Sequence, residues 1–315
     1  MAASQLGVPQ QQAVYAFGQW VEGRHARRGG RRDGGGATIV GGATIVPMGP
    51  QRIVCLTEET TEWLYLLGEQ ARIVGISGYT VRPPEARRDK PRVSHFLDGR
   101  IERIVALAPE LVVGFSDLQA ALADKLIRAG LNVLVTNQRS VGEILATLRL
   151  LAAIVGQVER GERWIAACLA RHAQIAAAAA AWPRRPRVYF EEWDAPMISA
   201  IRWVSELVAV AGGDDVFPEL ALQPMGRERV VTDPLEPARR QPDLIVGSWC
   251  GKKFRPERVA ARPGWADTPA VRAGALHEIK SADILQPGPA ALTDGVEQLH
   301  RLCAAWAAGR GASTG

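Results

Sequence analysis

Five aromatic residues, Tyr79, Phe96, Phe115, Trp193 and Trp249, each follow a short run that reads as a strand or an extended segment. In doubly wound α/β folds, ligands sit outside the carboxyl ends of the strands. Rings placed there form flat apolar walls for a large, rigid ligand at little entropic cost. Packing beneath loops would explain any one of them equally well. Trp63, Trp164, Trp203 and Trp306 fall on helical faces and read as core. Catalytic chemistry is poorly supplied. There is no G-x-x-x-x-G-K-[ST] loop and no G-x-S-x-G elbow. Where a dinucleotide fold needs glycines after its first strand, this chain has Leu56-Thr-Glu-Glu, whose carboxylates would repel a pyrophosphate. The histidines (His25, His95, His172, His277, His300) are spread singly, which leaves no three-histidine metal site. Cys55, Cys168, Cys250 and Cys303 form no C-x-x-C pair and no disulfide framework. Carboxylates are plentiful, but no pair stands out for acid–base work.

The elements that position these rings are announced by a repeated phrase. Residues 101–114 and 235–247 each hold an aliphatic residue followed by Glu, a short amphipathic helix, a Pro followed by an acid, an apolar strand and a terminal glycine. Pro109 and Pro242 stop the helices, and Leu111-Val-Val and Leu244-Ile-Val suit buried parallel strands. One recurrence at this distance implies two similar α/β lobes rather than a solenoid. The first lobe opens with strands over 52–56 and 73–76, with a helix between them that starts at Thr57-Glu-Glu and ends at Gly68. Capping boxes at Ser116-Asp-Leu-Gln and Ser140-Val-Gly-Glu open two more helices. Residues 158–181 have apolar positions at helical spacing and an alanine run, closed by Pro183 and Pro186. At 1.5 Å per residue that helix is roughly 35 Å long, a strut from lobe to lobe. The second lobe restarts with a strand over 187–191, leads into the loop 192–196, and closes with a C-terminal helix over roughly 288–308. Expected divisions are a disordered leader (1–48), N-terminal lobe (49–157), linking helix (158–183), C-terminal lobe (184–308) and disordered tail (309–315). The fold class is α/β, two Rossmann-like lobes with parallel sheets joined by one long helix, with a ligand cleft between them.

The net charge of +5 suggests nucleic acid at first sight, but Arg24, Arg27, Arg28, Arg31 and Arg32 supply the excess from the Gly-rich leader. The rest is near neutral, so nucleic-acid binding is not expected. No apolar run is long enough to span a membrane. The leader holds tandem Gly-Gly-Ala-Thr-Ile-Val segments, whose glycines break what would be the apolar region of a secretory signal. By sequence the chain reads as cytoplasmic and monomeric. Glu102 and Glu236 occupy matching places in the two copies of the phrase. Acids are favourable at a helix N-terminus, which explains each one adequately; two matching acidic knobs also suggest docking to arginines of a two-fold partner.

The segment 52–68, the Tyr79…Pro83-Pro84 loop, the two phrases and the long helix resemble the substrate-binding proteins of ABC importers for cobalamin, siderophores and heme, over about residues 51–306. Glu102-Arg-Ile-Val-Ala-Leu and Tyr-x-x-x-Pro-Pro are most similar to the cobalamin-binding members. The resemblance implies a non-catalytic protein without an intrinsic cofactor, holding cobalamin between Tyr79, Phe96, Phe115, Trp193 and Trp249, with Met225 and Asp283 also at the site. It implies a periplasmic location and docking of an ABC permease through Glu102 and Glu236. Phe96 and Phe115 stand where the family often has Trp, and Met225 stands at a third such position. A heme or ferric-siderophore binder of the same fold is the alternative, with Tyr79 or His95 as an axial ligand. An enzyme acting on a corrinoid through Glu191 or Asp194 is a further alternative, as is a regulatory module with a vestigial cleft.

Overall fold

The computed structural model describes residues 39–40, 43–44, 49–95 and 99–311. Ahead of Met48, β1 (Ile39–Val40) pairs antiparallel with β2 (Ala43–Thr44). The rest of the expected leader and Phe96 lie outside the described residues.

The first lobe alternates strand and helix: β3 (Ile53–Cys55), α1 (Glu58–Leu66), β4 (Ile73–Ser77), α2 (Pro84–Asp89), β5 (Arg92–Ser94), α3 (Ile101–Ala106), β6 (Leu111–Phe115), α4 (Ala120–Arg128) and β7 (Val133–Thr136). Its strands pair in the order β5-β4-β3-β6-β7, all parallel. The chain steps to one side of β3 for β4 and to the other for β6, so the topological switch falls at the carboxyl ends of β3 and β6. Two helices follow, α5 (Val141–Ile154) and α6 (Val158–Ala180). The Ser140 box forms in full, with Ser140 Oγ accepting from Glu143 N–H and the Glu143 carboxylate accepting from Ser140 N–H. The Ser116 segment begins instead as a short 3-10 turn, and Gln119 Oε1 accepts from Phe115 N–H.

The second lobe comprises β8 (Arg187–Asp194), β9 (Met197–Ser199), α7 (Arg202–Ala211), β10 (Asp214–Asp215), α8 (Pro218–Ala221), α9 (Glu236–Arg239), β11 (Leu244–Gly247), α10 (Pro256–Ala260), α11 (Pro269–Arg272), β12 (Leu276–Glu278), α12 (Ser281–Ile284) and α13 (Val296–Gly311). Its sheet runs β10-β8-β11-β12 in parallel, with β9 added antiparallel on β8. This sheet is therefore mixed rather than purely parallel. The segment 192–194, expected as loop, is the far end of β8, and α13 continues through residues 309–311.

The repeated phrase is repeated in the backbone as well. Ala108 and Gln241 both take left-handed φ values, 45° and 47°, immediately before Pro109 and Pro242. Its terminal glycines have a shared purpose. A Cβ on Gly247 would lie 1.9 Å from the Phe254 ring, and one on Gly114 would lie 2.6 Å from Gln119 Oε1. Only glycine admits those side chains over the strand ends.

One continuous hydrophobic cluster runs from Ile53, Trp63 and Leu148 through Ile165, Cys168 and Ile175 of α6 to Val188, Leu207 and Leu299. The strut is thus packed into both lobes, against α5 on one side and α7 on the other. A close-packed interior of this kind transmits force and resists hinge motion.

Candidate functional site

The expected site residues lie at the carboxyl ends of strands in the two lobes. On the first-lobe side, Tyr79 is 62% exposed just past β4, and its ring meets the exposed His95 edge-on at 5.6 Å. Phe115, the last residue of β6, is buried, with the Arg139 guanidinium 5.1 Å above its ring. It is a partly covered floor rather than an open wall.

On the second-lobe side, Trp193 is half-buried at the end of β8, with Lys252 Nζ 4.1 Å from its ring centroid. Lys252 is also ion-paired with Asp194 and lies 5.3 Å from the Trp249 ring. Trp249 is only 3% exposed. Its indole N–H donates to Glu191 Oε1 at 3.0 Å, and its ring packs edge-on against Phe254 at 5.0 Å. Glu191 is wholly buried and saturated: Arg262 grips it at 2.6 and 2.9 Å, and the Tyr189 hydroxyl donates to it at 2.9 Å. A carboxylate held by four donors has no lone pair left for acid–base chemistry. Beside Trp249 a pocket of about 330 Å³ is lined by Lys252, Lys253, Glu278, Ile279 and Lys280.

Met225 is half-buried and caps the turn Gly226–Arg229, its N–H donating to Glu228 Oε2 at 3.1 Å. Asp283 has both oxygens engaged, one by Arg82 at 3.1 Å and the other by Gln298 at 3.1 Å. Glu102 is exposed in the first turn of α3, and among the described residues it has no ion pair. Glu236 opens α9 and is shared by Arg239 and Arg240, each at 2.9 Å. Tyr79 and Phe115 thus lie at strand ends of the first lobe, and Trp193 and Trp249 at strand ends of the second.

Sequence reasoning missed the most unusual group, the three glutamates of α1. Thr57-Glu-Glu was expected as an N-cap followed by acids favourable at a helix start, yet Glu58, Glu59 and Glu62 are all buried. Burial pushes the Glu58 carboxyl up to about 8 and Glu59 up to about 7, and raises Glu62 as well. Glu62 is held by Arg82 at 3.0 Å and by the Ala290 N–H at 3.1 Å. Two arginines also went unnoticed. Arg229 is buried and bonds Glu192 at 2.6 Å, while Arg139 faces it from the first lobe. Desolvation lowers the Arg139 pKa, and Asp117 and Glu192 oppose the Arg229 charge that adds to the lowering. The signal available was the Thr57-Glu-Glu-Thr-Thr-Glu run, too acidic for a helix that must seat Trp63 against the core.

The chain matches the periplasmic binding protein family over residues 53–282. It belongs to that family. The match covers both sheets and the strut, so the family assignment rests on the whole two-lobe frame. Membership makes the chain a non-catalytic solute-binding protein of the kind that serves ABC importers, with the bound solute as cargo and no intrinsic cofactor. A vitamin B12-binding protein of Salmonella choleraesuis is 27% identical over 212 residues, 66% of this chain and 76% of that one. The periplasmic vitamin B12 binding protein BtuF of Vibrio cholerae superposes with a TM-score of 0.64 at 21% identity, covering 82% of this chain and 99% of that one. The periplasmic heme-binding protein RhuT of Roseiflexus sp. RS-1 superposes with a TM-score of 0.66 at 25% identity, covering 81% and 100%. Among the described residues no helix of this family member is long and apolar enough to cross a membrane, and no three His, Cys, Asp or Glu side chains gather to hold a metal ion.

Proposed function

We propose that this chain binds a corrinoid of the cobalamin type between its lobes and hands it to an ABC permease from the periplasmic side. The observation that carries this reading is the similarity to vitamin B12-binding proteins over two thirds of the chain. The aromatic strand ends support it: Tyr79 and Trp193 offer accessible ring surface, and Phe115 and Trp249 close the apolar floor behind them. The packed strut favours a site that is formed before the ligand arrives, which lowers the entropic cost of binding. Glu102 and Glu236 are the proposed docking points for permease arginines, Glu102 the freer of the two. Titration of the full-length protein with cyanocobalamin by calorimetry tests the reading, with saturable binding expected.

One observation favours heme as a second reading. Tyr79 presents an exposed phenol beside His95, an arrangement suited to an axial ligand on iron. Hemin titration followed at the Soret band, repeated on Tyr79→Phe, distinguishes the two. Heme cargo requires a Soret shift that the substitution abolishes.

A further inference from the structure

Buried polar atoms without partners are rare, because each costs about 1–3 kcal/mol when left unmet. Among the described residues, three of them follow strands that end at the candidate site. Glu58 Oε1 after β3, Thr80 Oγ1 after β4, and Ser248 Oγ after β11 are all buried, and none finds a hydrogen-bond partner among the described residues. Glu58 and Thr80 are neighbours, since the Glu58 carboxyl accepts from the N–H of Val81. Ser248 approaches from the second lobe, one residue from Trp249. The next residue, Cys250, is close enough to feel Glu58: desolvation of its sulfur, then the charges of Glu192 and Glu58, push its thiol up.

We propose that Glu58, with the Thr80 hydroxyl beside it, is a carboxamide subsite of the cleft. Its carboxyl gives an O–H to the amide oxygen of a ligand limb and receives an amide N–H in return. A neutral carboxyl and a primary amide are complementary at both positions, and each has one donor facing one acceptor. Glu58 is suited to that state. Burial favours its neutral form, Glu59 and Glu62 on the same helix add to the effect, and Val81 N–H and Arg82 oppose it. An anionic limb would meet Glu59 and Glu62, and the Arg82 guanidinium that acts on Glu58 is already held by Glu62, Asp283 and Asp294. The subsite therefore selects for carboxamide over carboxylate. This rests on the corrinoid reading and sharpens it, since a corrinoid rim carries carboxamides and heme carries carboxylates.

The test is calorimetry on the full-length protein with two probes, dicyanocobinamide (carboxamide rim) and dicyanocobyrinic acid (carboxylate rim). The wild type is expected to bind the amide about tenfold tighter or better near pH 7. Amide affinity should fall by about pH 9, as Glu58 ionises and loses the O–H it gives the amide oxygen, while the preference over the carboxylate probe persists because an ionised Glu58 repels that anion as well. Glu58→Gln, which retains one donor and one acceptor, should keep the amide affinity and lose the pH dependence. Glu58→Leu should lose about tenfold for the amide with an unchanged circular dichroism spectrum. Equal affinity for both probes, or full amide affinity in Glu58→Leu, overturns the subsite and leaves the corrinoid reading standing. No binding of either probe by the wild type overturns both.

Discussion

Arg82, in the loop after β4, donates through Nη1 to Asp283 Oδ1 of the second lobe at 3.1 Å. The same guanidinium reaches Asp294 at 2.6 Å and Glu62 of its own lobe at 3.0 Å. One side chain thus ties α1 to the segment that leads into α13. Glu62 is buried, so removing the arginine strands its carboxylate. Arg82→Ala is expected to cost about 2 kcal/mol in urea unfolding, whereas Asp294→Ala, at an exposed partner, should cost less than about 1 kcal/mol.

The three buried glutamates make stability depend on pH in an unusual direction for acids. The folded protein holds Glu58 near 8 and Glu59 near 7, against an ordinary value of 4.5. The folded state therefore binds protons that the unfolded chain has released. This contribution is full below 4.5, declines as pH rises, and is lost above about 8. Melting temperature should fall across that window, and Glu59→Gln should flatten the fall. A melting temperature that rises from pH 5 to 8 in the wild type would contradict the burial of these groups.

Glu191 and Arg262 form a paired charge inside the second lobe, at 2.6 and 2.9 Å. Arg262→Ala leaves a wholly buried carboxylate with only Trp249 and Tyr189 as donors. A loss of about 3–5 kcal/mol is expected in denaturant titration.

The two second-lobe tryptophans should part company on substitution. Trp249 is core, so Trp249→Ala is expected to cost about 3–5 kcal/mol. Trp193 is half-buried under Lys252, and Trp193→Ala should cost less than about 1 kcal/mol. Parallel thermal melts of the two variants check this, and Trp193→Ala is then the cleaner probe of ligand binding.

The frame was legible because its signals are local. Pro109 and Pro242, the terminal glycines Gly114 and Gly247, and the apolar positions of 158–181 each act within a few residues, and the strut ends at Ala180. The lobe-to-lobe contacts were not legible in the same way. Glu58 and Glu59 do occupy the first turn of α1, where acids favour the helix, but their burial depends on distant parts of the chain. Gly288 packs on Glu59, where a Cβ would come within 2.4 Å of the glutamate Cβ. Trp249 was expected at a cleft wall from its place after β11. Trp249 does follow β11, but its indole is buried against Phe254, which the bare Gly247 admits, and donates to Glu191.

Corrinoid binding in the cleft is best tested by calorimetric titration of the full-length protein with cyanocobalamin, alongside Trp193→Ala. Saturable binding at micromolar concentration or tighter is expected, weakened about tenfold, or about 1.4 kcal/mol, by the substitution. No binding heat with cyanocobalamin, together with a saturable Soret shift on adding hemin, would contradict it and assign the cleft to heme.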